Sequence, residues 1–320
     1  MNTKKVLLLG GSGFVGSYIA NRLSSLGIQV TVPTRRRERS KTLLVLPHVE
    51  VVEANIHCPE TLSGLLQGQD AVINLVGILH SRDVKLPYSA DFAEAHVEFP
   101  KKLIAAMKST GVRRLLHMSA LKADPQGPSE YLRSKGEGEA LVLGAQSALN
   151  VTVFRPSVIF GLGDRFLTMF GKLLKTLPIF PLGFAQARFQ PVWVADVADA
   201  FVDSLEKPET FGQVFELAGP TAYTLGELLA LTRQITHSEA RILNISEGWA
   251  YLLSGLLWLA PKPMQSPDNL RSMAVDNVLD THPKLLPGFT PKTLESILPT
   301  YIGKMAPRAR LDIYRFRAGR

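Results

Sequence analysis

A glycine-rich segment near the start of the chain limits the possible folds more than any other feature. It reads Gly10-Gly11-Ser12-Gly13-Phe14-Val15-Gly16 and lies between the apolar run Val6 to Leu9 and a helical stretch that extends to Leu26. Glycines at this spacing allow a tight turn, a close approach of the backbone to a pyrophosphate, and close packing of helix on strand. In this strand–turn–helix context the segment predicts a dinucleotide-binding turn, and we expect all seven residues to contact the cofactor.

The pattern along the rest of the chain indicates the fold class. Short, nearly continuous apolar runs alternate with helical stretches up to residue 155, which is typical of a parallel sheet covered by helices on both faces. Six such runs, with a seventh at Val214 to Leu217, predict an α/β fold with a doubly wound parallel Rossmann sheet and a smaller, mostly helical second lobe. We expect a dinucleotide-binding domain over 1–160 to which 191–218 returns, a second lobe over 161–190 and 219–303, and a basic tail over 304–320.

Composition and charge exclude several classes of protein. The 320 residues are 46% hydrophobic and 20% charged, as in globular chains. The net charge of +8 is local, because the segment 35–41 contributes +4 and the segment 304–320 contributes +5. Such local basicity argues against nucleic acid as a partner. The single cysteine, Cys58, and the scattered histidines give no metal-ligand spacing, so no metal site is expected.

The segment after the second predicted strand indicates which dinucleotide binds. A site for NAD places an aspartate or glutamate about 20 residues after the glycine turn, where it holds the ribose 2′-hydroxyl. Here the strand leads into Thr34-Arg35-Arg36-Arg37, with no carboxylate before Glu38. Arginine at this point accommodates a 2′-phosphate. Arg35 and Arg36 are therefore predicted cofactor contacts, and NADP(H) is favoured over NAD(H).

A candidate catalytic set follows the fifth predicted strand. Tyr131 and Lys135 are four residues apart, so they share one face of a helix, and Ser119 ends the strand before that helix. An ammonium about 5 Å from the phenol would lower the pKa of Tyr131 by about two units and make it a usable proton donor or acceptor. The hydroxyl of Ser119 could hydrogen-bond a substrate carbonyl.

The chain shows no convincing targeting or membrane-spanning segment. The apolar run near the N-terminus has only four residues, so we expect a cytoplasmic, bacterial-type chain without a signal or transit peptide. The longest apolar stretch, Trp249 to Ala260, falls short of the roughly 20 residues that span a bilayer. It can be a core helix, a partner-facing helix, or a surface helix that holds the chain peripherally on the inner face of a membrane.

Several motifs together identify a family. The chain resembles the extended short-chain dehydrogenase/reductase superfamily, and more narrowly the atypical branch that contains the nucleotide-binding accessory subunit of respiratory complex I and its bacterial relatives. The resemblance is good over residues 3–220 and looser beyond them. Besides the glycine turn, it rests on Asn74 to Gly77, Ser119, Tyr131-Leu132-Arg133-Ser134-Lys135, Arg155 to Gly161, Asp164 to Leu167 and Gln190 to Val194.

The resemblance implies an NADP(H)-binding protein and a set of site residues. Ser119, Tyr131 and Lys135 correspond to the catalytic residues of the family. The further implied cofactor contacts are Asn55, Val76, Gly77, Lys135, Pro156 and Ser157. Two positions depart from the family pattern. His96 lies where many members have a proton-relay asparagine, which counts against turnover, and Asn55 stands where an aspartate usually contacts adenine.

Two functions remain open at this point. The first is a protein that holds NADP(H) as a structural cofactor, as in the mitochondrial branch, and associates with a respiratory membrane complex or a membrane surface. The second is an active NADP-dependent oxidoreductase or epimerase/dehydratase-type enzyme. It would use Ser119, Tyr131 and Lys135 on a small carbonyl or hydroxyl substrate. Whether the chain is an enzyme is therefore left undecided by its sequence.

Overall fold

A computed structural model of the chain describes residues 3–81, 85–258 and 267–303. These residues form two compact units. Unit 1 comprises the described residues within 1–156, 194–217 and 280–289, and unit 2 comprises those within 157–193, 218–279 and 290–320. The predicted basic tail, 304–320, lies outside the described residues.

The strands and helices alternate over most of the chain. The strands are β1 (Lys5–Leu9), β2 (Gln29–Thr34), β3 (Val49–Glu53), β4 (Ala71–Asn74), β5 (Arg114–Met118), β6 (Asn150–Pro156), β7 (Ile159–Phe160), β8 (Ile179–Leu182), β9 (Arg188–Phe189), β10 (Val192–Trp193), β11 (Gln213–Leu217), β12 (Tyr223–Thr224) and β13 (Arg241–Asn244). The helices are α1 (Phe14–Ser25), α2 (Pro59–Leu66), α3 (Ala90–Ala93), α4 (Phe99–Thr110), α5 (Glu130–Gly144), α6 (Phe166–Thr176), α7 (Val194–Asp203), α8 (Leu225–Thr236), α9 (Glu247–Trp258), α10 (Pro267–Ser272) and α11 (Leu294–Tyr301). A π-helical turn, Glu94–Glu98, joins α3 to α4.

Unit 1 is built on a seven-stranded parallel sheet in the order β11-β6-β5-β4-β1-β2-β3. The order runs outward in both directions from β1, so the sheet is doubly wound, with its switch point between β1 and β4. The predicted fold class is therefore confirmed. The chain reaches this arrangement because its parallel strands are connected by helices, which cover the sheet.

The burial of β1 shows that both faces of the sheet are covered. Leu7 and Leu9 pack in a core cluster with residues of α2, α4 and α5. Side chains alternate between the faces of a strand, so Val6 and Leu8 point the other way, and they are just as buried. A strand buried on both sides needs the continuous apolar run that the sequence shows.

Residues 280–289 belong to unit 1, whereas the sequence-based boundaries place them in the second lobe. The amide of Glu216, on edge strand β11, donates to the carbonyl of Lys284 at 3.0 Å. Lys122, which follows β5, forms an ion pair with Asp280. These contacts attach the returning segment to unit 1, and neither leaves a pattern in the local sequence.

Unit 2 contains three two-stranded sheets, β7–β10, β8–β13 and β9–β12, among mostly helical structure. Its core cluster draws on α6, α8 and α11, with Phe160, Leu167, Phe170, Leu228 and Leu298 among its buried members. The prediction of a smaller, mostly helical second lobe is confirmed. Over the described ranges, no helix combines the length and apolar character needed to cross a bilayer.

The longest apolar stretch of the sequence forms most of α9, in unit 2. Ala250 and Ser254 are buried, but Trp249 and Leu252 expose 66% and 55% of their surface. The helix is thus only partly covered within the chain. Residues 259 and 260, the end of the predicted stretch, lie outside the described residues.

Candidate functional site

The glycine turn connects β1 to α1 at the C-terminal edge of the sheet. Gly10 adopts a left-handed conformation with φ of +80°, which residues with a Cβ rarely adopt. A Cβ at Gly16 would lie 2.5 Å from the carbonyl oxygen of Gly10, so only glycine lets the helix begin this close to the turn. A Cβ at Gly13 would meet only that same oxygen, at 3.2 Å, and Gly13 is exposed. The turn therefore leaves an open backbone surface on which a ligand can lie.

The N-terminus of α1 has the properties of an anion site. Gly13 is its N-cap, no side chain caps the helix, and its first turn has no acidic residue. The first amides of a helix carry partial positive charge that favours a phosphate group. The exposed hydroxyl of Ser12 and the backbone around Phe14 and Val15 lie at this helix start. The residues present fit a pyrophosphate, as the glycine spacing predicts.

The predicted adenine-side residues lie at the ends of β2 and β3. Arg35 and Arg36 are exposed in the turn after β2. Asn55 is also exposed, and its side-chain oxygen accepts a hydrogen bond from the amide of His57 at 3.1 Å. Glu53, which the sequence reasoning missed, ends β3 as the register partner of Thr34, and its carboxylate accepts from the amide of Arg37 at 3.4 Å. Glu53 could not be recognised from the sequence, although it is a carboxylate at the end of a strand, because it lies far along the chain from the glycine turn.

The segment after β4 contains the next predicted contacts, Val76 and Gly77. The side-chain oxygen of Asn74 accepts from the amide of Val76 at 3.1 Å, and this bond turns the chain away from the strand. The amide nitrogen of the same side chain contacts Nδ1 of His117 on β5 at 3.1 Å. A Cβ at Gly77 would lie 3.3 Å from Nε2 of His96 and 3.7 Å from Nζ of Lys135. The exposed backbone of Gly77 therefore lies beside two of the predicted site residues.

Lys135 and Ser119 come together at the end of β5. The ammonium of Lys135 donates to the carbonyl oxygen of Met118 at 2.7 Å, and burial lowers the pKa of this lysine to about 8. Ser119 is buried, and its hydroxyl oxygen has no hydrogen-bond partner among the described residues. A buried hydroxyl without a partner is costly, so this oxygen suits a bound ligand with a polar group.

The pKa of Tyr131 is shifted in the direction opposite to the one that the sequence predicts. Burial raises its pKa to about 12, rather than Lys135 lowering it. The geometry agrees with this: the ammonium of Lys135 is bonded to the carbonyl of Met118, and the rings of His96 and Phe92 lie beside Tyr131, with centroids 5.7 and 6.3 Å away. At neutral pH this phenol is protonated, so it can donate a proton but is a poor base.

His96 and Ser134 complete this end of the site. Nδ1 of His96 lies 2.8 Å from the hydroxyl of Ser134, which in turn donates to the carbonyl of Tyr131 at 2.9 Å. In the sequence, His96 stands out only as a departure from the family pattern, and Ser134 does not stand out as a site residue. The one available signal was the position of Ser134 between Tyr131 and Lys135 on the same helix.

The last two predicted contacts fall in different units. Pro156 ends β6 in unit 1, where its carbonyl accepts from the amide of Leu121 at 2.9 Å. Ser157 belongs to unit 2, where its hydroxyl donates to the side-chain oxygen of Asn277 at 2.6 Å. Ser157 is therefore not among the residues that unit 1 brings together.

Fold and site together define a Rossmann-type nicotinamide dinucleotide-binding protein. A family model described as the NAD dependent epimerase/dehydratase family matches residues 6–218. The chain belongs to this family, which confirms the resemblance to extended short-chain dehydrogenases/reductases.

Relatives that are by name subunits of mitochondrial NADH dehydrogenases confirm the narrower resemblance. The chain is 30% identical to the mitochondrial NADH dehydrogenase (ubiquinone) 1 alpha subcomplex subunit 9 of Mus musculus, over 91% of this chain and 78% of that protein. It is 27% identical to the mitochondrial NADH-ubiquinone oxidoreductase 40 kDa subunit of Neurospora crassa, over 96% of this chain and 80% of that protein.

A solved structure supports the fold. The crystal structure of a nucleoside-diphosphate-sugar epimerase from Staphylococcus aureus is similar, with a TM-score of 0.69 and 17% identity, over 91% of this chain and 98% of that one. At this identity the likeness concerns the fold alone.

Proposed function

We propose that the chain holds NADP(H) in unit 1 and prefers it to NAD(H). The observation that carries this proposal is the uncapped N-terminus of α1 behind the glycine turn, with exposed arginines and no carboxylate at the end of β2. The helix start suits the pyrophosphate, and Arg35 and Arg36 suit the 2′-phosphate. Glu53 lies on the neighbouring strand, where its carboxylate accepts a hydrogen bond from the Arg37 amide. It therefore supports the turn formed by residues 35–37, here called the arginine turn, and does not stand at the end of β2, where an NAD site has its carboxylate.

The remaining site residues contact successive parts of the bound NADP(H). Asn55 contacts the adenine, and Val76 and Gly77 line the ribose and nicotinamide. Lys135 holds the nicotinamide ribose, and Ser119 offers its unpartnered hydroxyl to a polar group of the ligand. Pro156 lies at the end of β6, at the same carboxyl edge of the sheet.

We further propose that the bound cofactor is structural and that the chain is a peripheral subunit of a respiratory membrane complex. The relatives named above are by their names subunits of NADH dehydrogenases. The exposed aromatic and aliphatic side chains of α9, Trp249, Tyr251 and Leu252, form an apolar surface of the kind that a protein partner covers. Liposome co-sedimentation at low and high salt tests direct lipid binding: if the protein stays in the supernatant with anionic liposomes at low salt, direct lipid binding is excluded and a protein complex is the remaining partner.

Isothermal titration with NADPH and NADH tests the cofactor proposal. We expect the wild-type protein to bind NADPH more tightly. Arg35→Asp replaces a cation with an anion facing the 2′-phosphate, and a charge-assisted hydrogen bond contributes about 1.5–3 kcal/mol, so NADPH affinity should fall at least tenfold. Arg113→Asp is the matched control, since this exposed arginine precedes β5 at the opposite edge of the sheet. Equal wild-type affinities for NADH and NADPH would contradict the proposal.

Two observations favour the second candidate function, an NADP-dependent oxidoreductase or epimerase-type enzyme. The unpartnered hydroxyl of Ser119 and the protonated phenol of Tyr131 are the groups that a carbonyl reduction needs, one to bind the oxygen and one to protonate it. Loss of NADPH absorbance with small carbonyl compounds would reveal such turnover. Tyr131→Phe should then remove the activity and leave NADPH affinity nearly unchanged. A full rate in this variant would place the proton donor elsewhere.

A further inference from the structure

His96 is a buried histidine in the π-helical turn between α3 and α4, opposite helix α5. The backbone packs so closely here that a Cβ at Gly138 of α5 would overlap the carbonyl oxygen of His96. The ring of Phe92 lies beside the imidazole, at 5.5 Å between centroids. The ring of His96 is therefore fixed in place by backbone packing and by an aromatic neighbour.

Both ring nitrogens of His96 are used, and the geometry assigns their protons. The amide of Ile78 donates to Nε2 at 3.1 Å, and a backbone N–H can only donate, so Nε2 carries no proton. Nδ1 then carries the proton and donates to the hydroxyl of Ser134 at 2.8 Å. Since Ser134 donates onward to the carbonyl of Tyr131, every bond from Ile78 to Tyr131 points the same way. This chain is complete only when His96 is neutral.

The imidazole thereby joins two parts of the site that are distant in sequence. One is the segment after β4, through the amide of Ile78. The other is the start of α5, whose first two turns carry Tyr131, Ser134 and Lys135. Gly77 lies between them, because a Cβ on this residue would be 3.3 Å from Nε2 of His96 and 3.7 Å from Nζ of Lys135. The exposed peptide of Gly77 is thus held at a fixed distance from the buried ammonium.

We propose that His96 is a positioning residue for the nicotinamide half of the cofactor. It holds the Gly77–Ile78 backbone against α5, so that the nicotinamide and its ribose meet a preformed surface. The adenine and pyrophosphate half rests on the glycine turn and the arginines, which His96 does not contact. This inference rests on the proposed binding of NADP(H). It adds that separate groups of residues position the nicotinamide half and hold the adenine and pyrophosphate half.

Two ligands separate a positioning role from a general structural one. NADPH reports on the whole site, whereas adenosine 2′,5′-bisphosphate lacks the nicotinamide half. His96→Leu should weaken NADPH binding about tenfold and change the affinity for the bisphosphate less than twofold in isothermal titration. His96→Gln should restore NADPH binding to within about threefold of the wild type, because its side-chain oxygen can accept from the Ile78 amide. Phe99→Leu is the matched control, since it makes a packing change at a buried phenylalanine whose ring lies beside His57, and it should change NADPH affinity less than twofold.

Amide hydrogen exchange gives a readout that does not depend on a ligand. In the protein without cofactor, exchange of the Ile78 amide should be at least tenfold faster in His96→Leu and near the wild-type rate in His96→Gln. Ser134→Ala removes the Nδ1 partner and the bond to the Tyr131 carbonyl but keeps the imidazole, so it keeps the inference testable if His96→Leu fails to fold. It should also weaken NADPH binding, by about threefold.

The outcomes distinguish failure of the positioning role from failure of the proposed function. Equal losses for NADPH and the bisphosphate in His96→Leu, or no loss for either, would overturn the positioning role. Unchanged exchange at Ile78 would overturn it as well. Failure of the wild-type protein to bind NADPH would instead refute the proposed function, and the positioning role of His96 with it.

Discussion

The two ends of the candidate dinucleotide site are built in different ways. The end formed by the glycine turn and the arginines uses backbone amides and exposed side chains, and no side chain caps α1. The end formed by His96, Ser119, Tyr131 and Lys135 uses mostly buried polar groups, of which His96 and Lys135 make hydrogen bonds of 2.7–3.1 Å. The first depends on local chain geometry, whereas the second depends on packing between segments far apart in sequence. Substitutions should therefore affect stability more at the second end and ligand choice more at the first.

Gly138→Ala should produce the largest effect on stability. Its Cβ would overlap the carbonyl oxygen of His96, and a backbone atom cannot move aside as a flexible side chain can. The π-helical turn and α5 would have to separate, so we expect a loss of about 3 kcal/mol or more in the free energy of unfolding, or failure to fold. Chemical denaturation measures the loss.

Gly144→Ala is the control on the same helix, because nothing lies within 4 Å of a Cβ there. Alanine is the better helix former, so this variant should be unchanged or stabilised by up to about 1 kcal/mol. Similar stabilities of the two variants would mean that the buried end is not closely packed, and the contrast between the two ends would fail.

His117, on β5, should make this end sensitive to acid. Burial, and secondarily the charge of Lys135, lowers the pKa of His117 to about 3 in the folded chain, against 6.5 when unfolded. The unfolded chain therefore binds a proton that the folded chain does not, and stability falls as the pH drops below 6.5. One pKa unit corresponds to about 1.4 kcal/mol, so the expected loss between pH 6.5 and pH 4 is roughly 3 kcal/mol.

His117→Asn should remove this loss, because the asparagine oxygen can still accept from Asn74 and does not titrate. Unfolding is measured at several pH values, and the slopes of stability against pH are compared. His282→Gln, a change at an exposed histidine, serves as the control and should keep the wild-type slope. Parallel slopes for the wild type and His117→Asn would show that His117 is not held neutral.

The same difference between the two ends explains what could be predicted from the sequence. The glycine spacing and the apolar runs predict the turn and the doubly wound sheet, because both follow from local backbone geometry and burial on two faces. The donation from Lys135 to the carbonyl of Met118 was not predictable, since it depends on where β5 ends relative to α5. The role of Ser134 depends on a histidine 38 residues away. Glu53 was missed because register with β2, and not sequence, brings it to the arginine turn.

Lys135→Met tests the buried end at alkaline pH. Burial lowers the pKa of Lys135 to about 8 in the folded chain, against 10.5 when unfolded. Above pH 8 the folded chain has lost a proton that the unfolded chain still holds. The free-energy cost of burying the charged ammonium then disappears. The wild type therefore gains stability relative to Lys135→Met as the pH rises. The expected relative gain between pH 7 and pH 10 is about 2 kcal/mol. It is measured by denaturation of both proteins across this range, and a constant difference would show that the lysine is not desolvated.

Glu53→Gln should give the smallest effect, and it concerns the exposed end. The carboxylate of Glu53 bonds the amide of Arg37 beside the arginines to which we assign the 2′-phosphate. Glutamine keeps an acceptor for that amide but removes a negative charge near the phosphate. Exposed charge interactions contribute about 0.2–1 kcal/mol, so NADPH affinity should rise about two- to threefold, while stability stays within about 0.5 kcal/mol of the wild type. Titration with NADPH and NADH at low and high salt measures this, since salt screens exposed charges and should reduce the gain. A rise of the same size for NADH would mean that Glu53 repels the pyrophosphate, and the arginine turn would then have no special part in cofactor choice.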